Sequence, residues 1–183
     1  MSPFRYIPFQ RSDPPLGQPH WFNRCIVAID PPFRQGGDVG IVVLGRRDYK
    51  VHVLADLSLD RPTGSEWPRL VREAVATFLV DTVVSEEAGG SHGEFVRALL
   101  ASCGVPVRVD LYRNRSSSVR DRLLSAAGAY DAGYVLHAGD TLALEHDLRI
   151  QRRHSSRVDA LLLGLDVLSG PTYAGGEPRL KTA

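Results

Sequence analysis

The chain is 183 residues long, which suits one domain, or one domain with tails. Hydrophobic residues make up 43% and charged residues 23%, enough apolar matter for a packed core and too much for disorder of the whole chain. No apolar run approaches the ~20 residues of a membrane span, the opening MSPFRYIPFQRSDPP lacks the apolar core of a secretory signal, and a net charge of +1 singles out no partner. The expectation is a soluble intracellular protein whose two cysteines, Cys25 and Cys103, are buried free thiols.

Residues 1–23 are rich in Pro and aromatics without periodicity and read as a linker or arm. CIVAID (Cys25–Asp30) is a short apolar run closed by an acid, and predicts a strand. VGIVVLG (Val39–Gly45) and YKVHVLADLS (Tyr49–Ser58), joined by a short turn, predict a hairpin that extends it into an antiparallel meander. A helix follows, capped by Thr63 or Ser65, with Trp67, Leu70, Val71, Ala74, Val75 and Phe78 at helical spacing. DTVVSE (Asp81–Glu86) predicts a buried strand, and Glu94–Cys103 a helix stopped by Gly104. PVRVDLY (Pro106–Tyr112) predicts another strand, Ser117–Tyr130 a helix, and GYVLHAG (Gly133–Gly139) a short strand. Two helices close the unit, one from Asp140 or Thr141 to about Ile150 and one from about Ser155 through ALLLGLDVL. Residues 169–183, punctuated by Gly and Pro, read as a flexible tail, which leaves 24–168 as the domain. The order β-β-β-α-β-α-β-α-β-α-α is that of the α/β ribonuclease H-like fold. That fold has a mixed central sheet, a three-strand antiparallel meander plus parallel strands, with helices on both faces.

Three acids take suggestive positions. Asp30 ends the first strand, Glu86 ends the fourth, and Asp159 lies in the first turn of the last helix. Strands one and four are neighbours in such a sheet, and the last helix crosses their ends, so the three carboxylates should converge. Each has an ordinary reading alone: an Asx turn before Pro31, an exposed strand end, a favourable charge at a helix N-terminus. Together they carry a cost, because two carboxylates ~4 Å apart repel by about 4 kcal/mol at an effective dielectric near 20. Hard oxygen-seeking cations such as Mg²⁺ or Mn²⁺ offset it. Two such ions can activate water and stabilise the leaving oxygen in phosphodiester hydrolysis. Asp38, just before the second strand, is a candidate beside the metal ligands, and Glu87 competes with Glu86 for the ligand position.

Of 22 basic residues all but Lys50 and Lys181 are arginine. Arg113, Arg115, Arg120 and Arg122 crowd the segment after the fifth strand, and Arg157 precedes Asp159. Arginine binds phosphate oxygens in a bidentate way, so these residues can form a phosphate-binding face, the ordinary reading being a solvated helix face; the resemblance described next implies that they are DNA contacts. Arg122 reads equally as a structural partner for an acid such as Asp121 or Glu86. Other chemistries lack their motifs: there is no GxxxxGK[ST] loop, no GxSxG and no HExxH, and His92, His137, His146 and His154 have no ligand spacing.

These segments resemble the C-terminal nuclease domain of tailed-bacteriophage large terminase subunits. AIDPP…GGDVGIVVLG is similar to its first strand, Asp and Gly/Asp loop, and VDTVVSEEAGG to its strand, Glu and Gly-Gly turn. SSSVRDRLLSAAGAYDAGYVLHAG resembles the basic stretch, helix and strand that follow. DTLALEHDL and HSSRVDALLLGL resemble its last two helices, and the similarity covers about residues 24–168. The resemblance implies a metal-dependent endonuclease that cuts concatemeric viral DNA during packaging, with Asp30, Glu86 and Asp159 as metal ligands. It implies double-stranded DNA, a packaging ATPase domain, a small terminase subunit and a portal as partners, and the cytoplasm of an infected bacterium as the place of action. It also implies that residues 1–23 derive from an interdomain linker. A Holliday-junction resolvase-like nuclease and an inactive nucleic-acid-binding module are the alternatives.

Overall fold

The computed structural model describes residues 2–16, 18, 20–32, 36–86, 92–112, 118–150 and 155–169. Glu87, Arg113, Arg115, His154 and the expected tail from 170 onwards lie outside the described residues. The element order is the expected one: β1 (Arg24–Asp30), β2 (Gly40–Arg47), β3 (Lys50–Asp56), α1 (Glu66–Phe78), β4 (Thr82–Glu86), α2 (His92–Ser102), β5 (Arg108–Tyr112), α3 (Val119–Asp131), β6 (Val135–His137), α4 (Leu142–Ile150) and α5 (Ser156–Ser169). The strands form one mixed sheet in the order β5-β4-β1-β2-β3-β6. β1, β2 and β3 pair antiparallel, while β4 joins β1, β5 joins β4 and β6 joins β3 in parallel.

Alternation of side chains splits the apolar residues of β1 between two cores. Val27 and Ile29 face α1 and α2, joining Trp67, Val71, Val75, Val96 and Leu100. Ile26 and Ala28 face α5, α3 and α4, joining Leu123, Tyr130, Leu144, Leu161 and Leu162. Val53 faces the α5-side core, and a bulge where β3 passes Val43 and Leu44 leaves Leu54 and Ala55 both on the other side. α5 is apolar nearly all round, with Val158, the run Ala160–Leu165 and Leu168 buried, because the sheet covers one side and α3 and α4 the other.

Glycines let α5 lie close on the sheet. A Cβ on Gly164 would fall 2.4 Å from Leu44 Cδ1 and 3.2 Å from Ala28 Cβ. One on Gly40 would fall 1.8 Å from the Ser156 carbonyl oxygen, so the first residue of α5 rests directly on the start of β2.

Residues 2–12 pack onto the domain. Phe4 is fully buried in the α5-side core and meets Phe9 and Tyr130 ring to ring. His137 donates its backbone N–H to Gln10 O and accepts from Ser12 N–H, so residues 10–12 cover the free edge of β6. A buried polar network fastens this contact. The Tyr130 hydroxyl lies 2.7 Å from His137 Nε2, His137 Nδ1 lies 2.6 Å from Thr141 Oγ1, Thr141 donates to Glu145 at 2.8 Å, and Arg11 pairs with Glu145 at 2.9 Å. Burial and the Arg11 charge push His137 down to about 3, so it is neutral. Cys25 is buried as expected, whereas Cys103 is partly exposed at the end of α2.

Candidate metal centre

Two apolar runs closed by acids set up the site. β1 and β4 run parallel with Ile29 opposite Ser85, so Asp30 and Glu86 follow side by side at the carboxyl ends of their strands. On its other side Asp30 pairs with Gly40, the position whose missing Cβ admits the start of α5. Asp159, in the first turn of that helix, thereby comes over Asp30.

The electrostatics of Asp30 register this arrangement. Its carboxyl is pushed up from 3.8 to about 7, first by burial and then by the negative charge of Asp159. A hydrogen bond from Ser156 lowers it, Glu86 raises it, and the Arg122 charge lowers it. Both other expected ligands therefore act on Asp30, one from its neighbouring strand and one from the crossing helix. Among the described residues no three His, Cys, Asp or Glu side chains stand as a closed metal-holding group. The donor set nevertheless fits a hard cation, since it is all carboxylate oxygen and its charges raise one another at Asp30.

The other expected residues sort by their partners. Asp38 Oδ1 accepts from the Arg61 backbone N–H at 3.2 Å, and its carbonyl accepts from Ser156 Oγ at 3.4 Å, so it holds the start of α5. Arg157 lies 3.8 Å from Asp56, 3.6 Å from Asp60 and 3.8 Å from Asp147, and Asp147 also accepts from Ser155 Oγ at 2.6 Å. Its guanidinium thus anchors the entry to α5. Arg120 is exposed in the first turn of α3, a turn fixed by a capping box between Ser118 and Asp121. Arg122, two residues on and so on the opposite side of α3, points inward. Its side chain is 5% exposed and its Nε lies 2.9 Å from Asp166 Oδ2.

Asp166, further along α5, is an acid that no sequence pattern singles out. It stands two turns after Asp159 on α5, a spacing that puts both on one side of the helix. Burial raises its carboxyl, Arg122 pulls it back, and Glu86 raises it. Arg122 and Asp166 therefore belong to the same charged cluster as Asp30 and Glu86.

Residues 27–166 match the family model described as the terminase RNaseH-like domain. The fold is similar to the nuclease domain of the phage P22 large terminase, with a TM-score of 0.67 at 12% identity over 90% of this chain and 91% of that one. It is similar to the large terminase nuclease of thermophilic phage G20c with bound zinc, with a TM-score of 0.60 at 18% identity over 87% of this chain and 91% of that one. A large terminase from another thermophilic bacteriophage superposes with a TM-score of 0.63 at 13% identity, covering 92% of this chain. The match takes in only 46% of that protein, so the present chain spans about half its length. No curated protein sequence matches significantly.

Proposed function

Because the chain belongs to the terminase RNaseH-like domain family, we propose that it is a divalent-metal-dependent endonuclease that hydrolyses phosphodiester bonds of double-stranded DNA. The observation that carries this reading is the coupling of Asp30 to both Asp159 and Glu86 at the ends of adjacent parallel strands. Asp30, Glu86 and Asp159 are the residues that hold Mg²⁺ or Mn²⁺, with Asp38 and Glu87 beside them. Two such ions, when bound, supply an activated water and stabilise the leaving oxygen. The bound zinc of the G20c nuclease agrees with a divalent ion on this fold.

The rest of the work falls to the protein. Gly40 sets the distance between the sheet and the start of α5, and so the distance between Asp30 and Asp159. Asp38, Asp147 and Arg157 fix the entry to that helix. Arg120, with Arg113 and Arg115, holds the DNA backbone, and these contacts position the duplex without reading its sequence. Arg122 and Arg157 face carboxylates of the chain itself, Arg122 that of Asp166 and Arg157 those at the entry to α5. Within a packaging machine the domain would act in the infected cell on concatemeric DNA, beside an ATPase domain, a small subunit and a portal.

Supercoiled plasmid incubated with the purified chain tests this reading. Nicking and linearisation with Mn²⁺ or Mg²⁺, absence of cutting with EDTA, and loss of cutting in Asp30→Asn are the expected results. Plasmid left intact by high concentrations of folded wild-type protein with Mn²⁺ contradicts it.

A further inference from the structure

His137 is fully buried, and its two ring nitrogens are committed on opposite sides. The Thr141 hydroxyl donates to Glu145 Oε1 at 2.8 Å, so its oxygen accepts from His137 Nδ1 at 2.6 Å. Nδ1 therefore carries the single ring proton, and Nε2 accepts from the Tyr130 hydroxyl at 2.7 Å. The donors run in one direction, from Tyr130 through His137 and Thr141 to Glu145, and the Arg11 guanidinium closes the chain 2.9 Å from the same Glu145 oxygen. A second ring proton has no place in this arrangement. On Nε2 it would face the Tyr130 hydroxyl, whose own hydrogen would then turn towards the rings of Phe4 and Phe9. Its charge would be buried and would stand opposite Arg11.

Residues 2–12 supply the features that exclude the second proton: the Arg11 charge, the Phe4 ring, and the Phe9 ring 5.1 Å from that of His137. Glu145 has Arg11 and His137 as its ion-pair partners among the described residues, with His137 Nδ1 at 3.0 Å. We propose that Arg11 and the protonated form of His137 compete for Glu145, so that release of residues 2–12 from the edge of β6 takes up one proton at His137 and acidification frees the segment. The other titratable groups around the contact leave this exchange to His137. Burial, and then the Glu145 charge, raise the Tyr130 hydroxyl, which stays protonated. Arg149, 4.8 Å over the Phe9 ring, carries a fixed charge. His52 meets Ser12 Oγ through Nδ1 at 3.0 Å, and a hydroxyl accepts as readily as it donates, so protonation of His52 breaks no bond. Below the ordinary imidazole value of about 6.5 the released state holds a proton that the docked state lacks, until the docked ring itself titrates at about 3. Docking is therefore strongest above pH 6.5 and weakens about tenfold for each pH unit below it. None of the acid-cluster residues takes part, so this device and the nuclease reading stand or fall separately.

The test is hydrogen exchange of the full chain, followed by NMR across the acid to neutral range. The Ser12 and His137 amides bond across the contact, to His137 O and Gln10 O at 2.8 Å each, and report its opening. The amides of β1, in the middle of the sheet, report global unfolding. After correction for intrinsic rates, protection of the two contact amides should fall about tenfold between roughly pH 6 and pH 5, stay level above about pH 7, and lie below that of β1 throughout. The fall should vanish in His137→Gln and persist in His52→Gln. In Arg11→Gln the imidazole nitrogen signals should show His137 titrating about one pH unit or more above wild type, because Glu145 is left to it. Arg11→Lys, which keeps the charge, should titrate near wild type. Equal protection at the two acid pH values, contact amides that exchange in step with β1, or a fall that survives in folded His137→Gln overturns the proposal. Should that variant not fold, the Arg11→Gln spectrum decides, and a His137 midpoint unchanged from wild type overturns it.

Discussion

Asp30→Asn should stabilise the metal-free protein while abolishing its cleavage. In the folded state the Asp30 carboxyl titrates at about 7 rather than 3.8. The native protein then holds a proton that the unfolded chain has already lost, so stability falls as pH rises from about 4 to 7 and levels off above 7. The gap between 3.8 and about 7 corresponds to a ceiling of about 4 kcal/mol at pH 8, and to about 1.5 kcal/mol at pH 5. Asparagine keeps the volume and removes the charge. Allowing for relaxation and water entry, about half of the ceiling should be recovered at pH 8. At ~2–4 °C per kcal/mol for a chain of this size, the variant should melt roughly 4–8 °C higher than wild type at pH 8 in EDTA. The gain should shrink at pH 5. His137, held neutral with a value of about 3, makes both proteins less stable as pH falls below 6.5, and this cancels in the difference. Adding Mn²⁺ should raise the melting temperature of wild type more than that of the variant. Urea or thermal unfolding at the two pH values measures all of this. A variant no more stable than wild type at pH 8, or a gain that grows towards pH 5, refutes the idea that Asp30 is a buried, repelled carboxylate.

Gly40→Ala should cost about 1–3 kcal/mol, because the new methyl meets the Ser156 carbonyl and one element must shift. Cleavage per folded molecule should fall as well, since the shift separates Asp159 from Asp30; melting curves and plasmid cutting read the two effects. Arg120→Ala should leave the melting temperature alone and reduce the slope of log affinity against log salt by about one, similarly for unrelated DNA sequences. Filter binding or fluorescence anisotropy across salt concentrations checks it. Phe4→Ala should cost about 3–5 kcal/mol, the loss expected of a fully buried aromatic, and a melting temperature within a degree of wild type would show that the N-terminal segment contributes nothing.

The strand-helix order was legible because each segment carries a clean period, and because acids close two of the buried runs, CIVAID and TVVSE. The boundaries were less so. The last strand reads as Gly133–Gly139 yet spans only Val135–His137. Gly133 is spent on a left-handed φ of 72°, and a Cβ on Gly139 would fall 2.1 Å from the Leu54 carbonyl oxygen. Gly40 reads as loop punctuation, and only the tertiary contact reveals it as the seat of α5. Asp166 escaped notice because α5 is apolar on nearly every side, so no polar face marks out the acids that matter. Arg122 was legible as a basic residue, but its partner lies far downstream, and no local pattern says that one of two neighbouring arginines turns inward. Residues 2–12 have no period at all; Phe4 and Phe9 declare themselves only against Tyr130 and His137.

The docked N-terminal segment also makes the domain responsive to tension. A pull on Ser2 loads the Leu148 carbonyl of α4, to which its hydroxyl donates at 2.6 Å, and then the edge contact of Phe4 with Tyr130. Beyond these, the two backbone bonds that flank His137 run beside β6 and resist in shear. Tyr130 and Arg122 ride on one stiff rod about 12 Å apart. The helix that carries Tyr130 at its carboxyl end therefore also carries, near its start, the Arg122–Asp166 pair. A load on residues 2–12 thus has a covalent path, along one helix, to the buried Arg122–Asp166 pair.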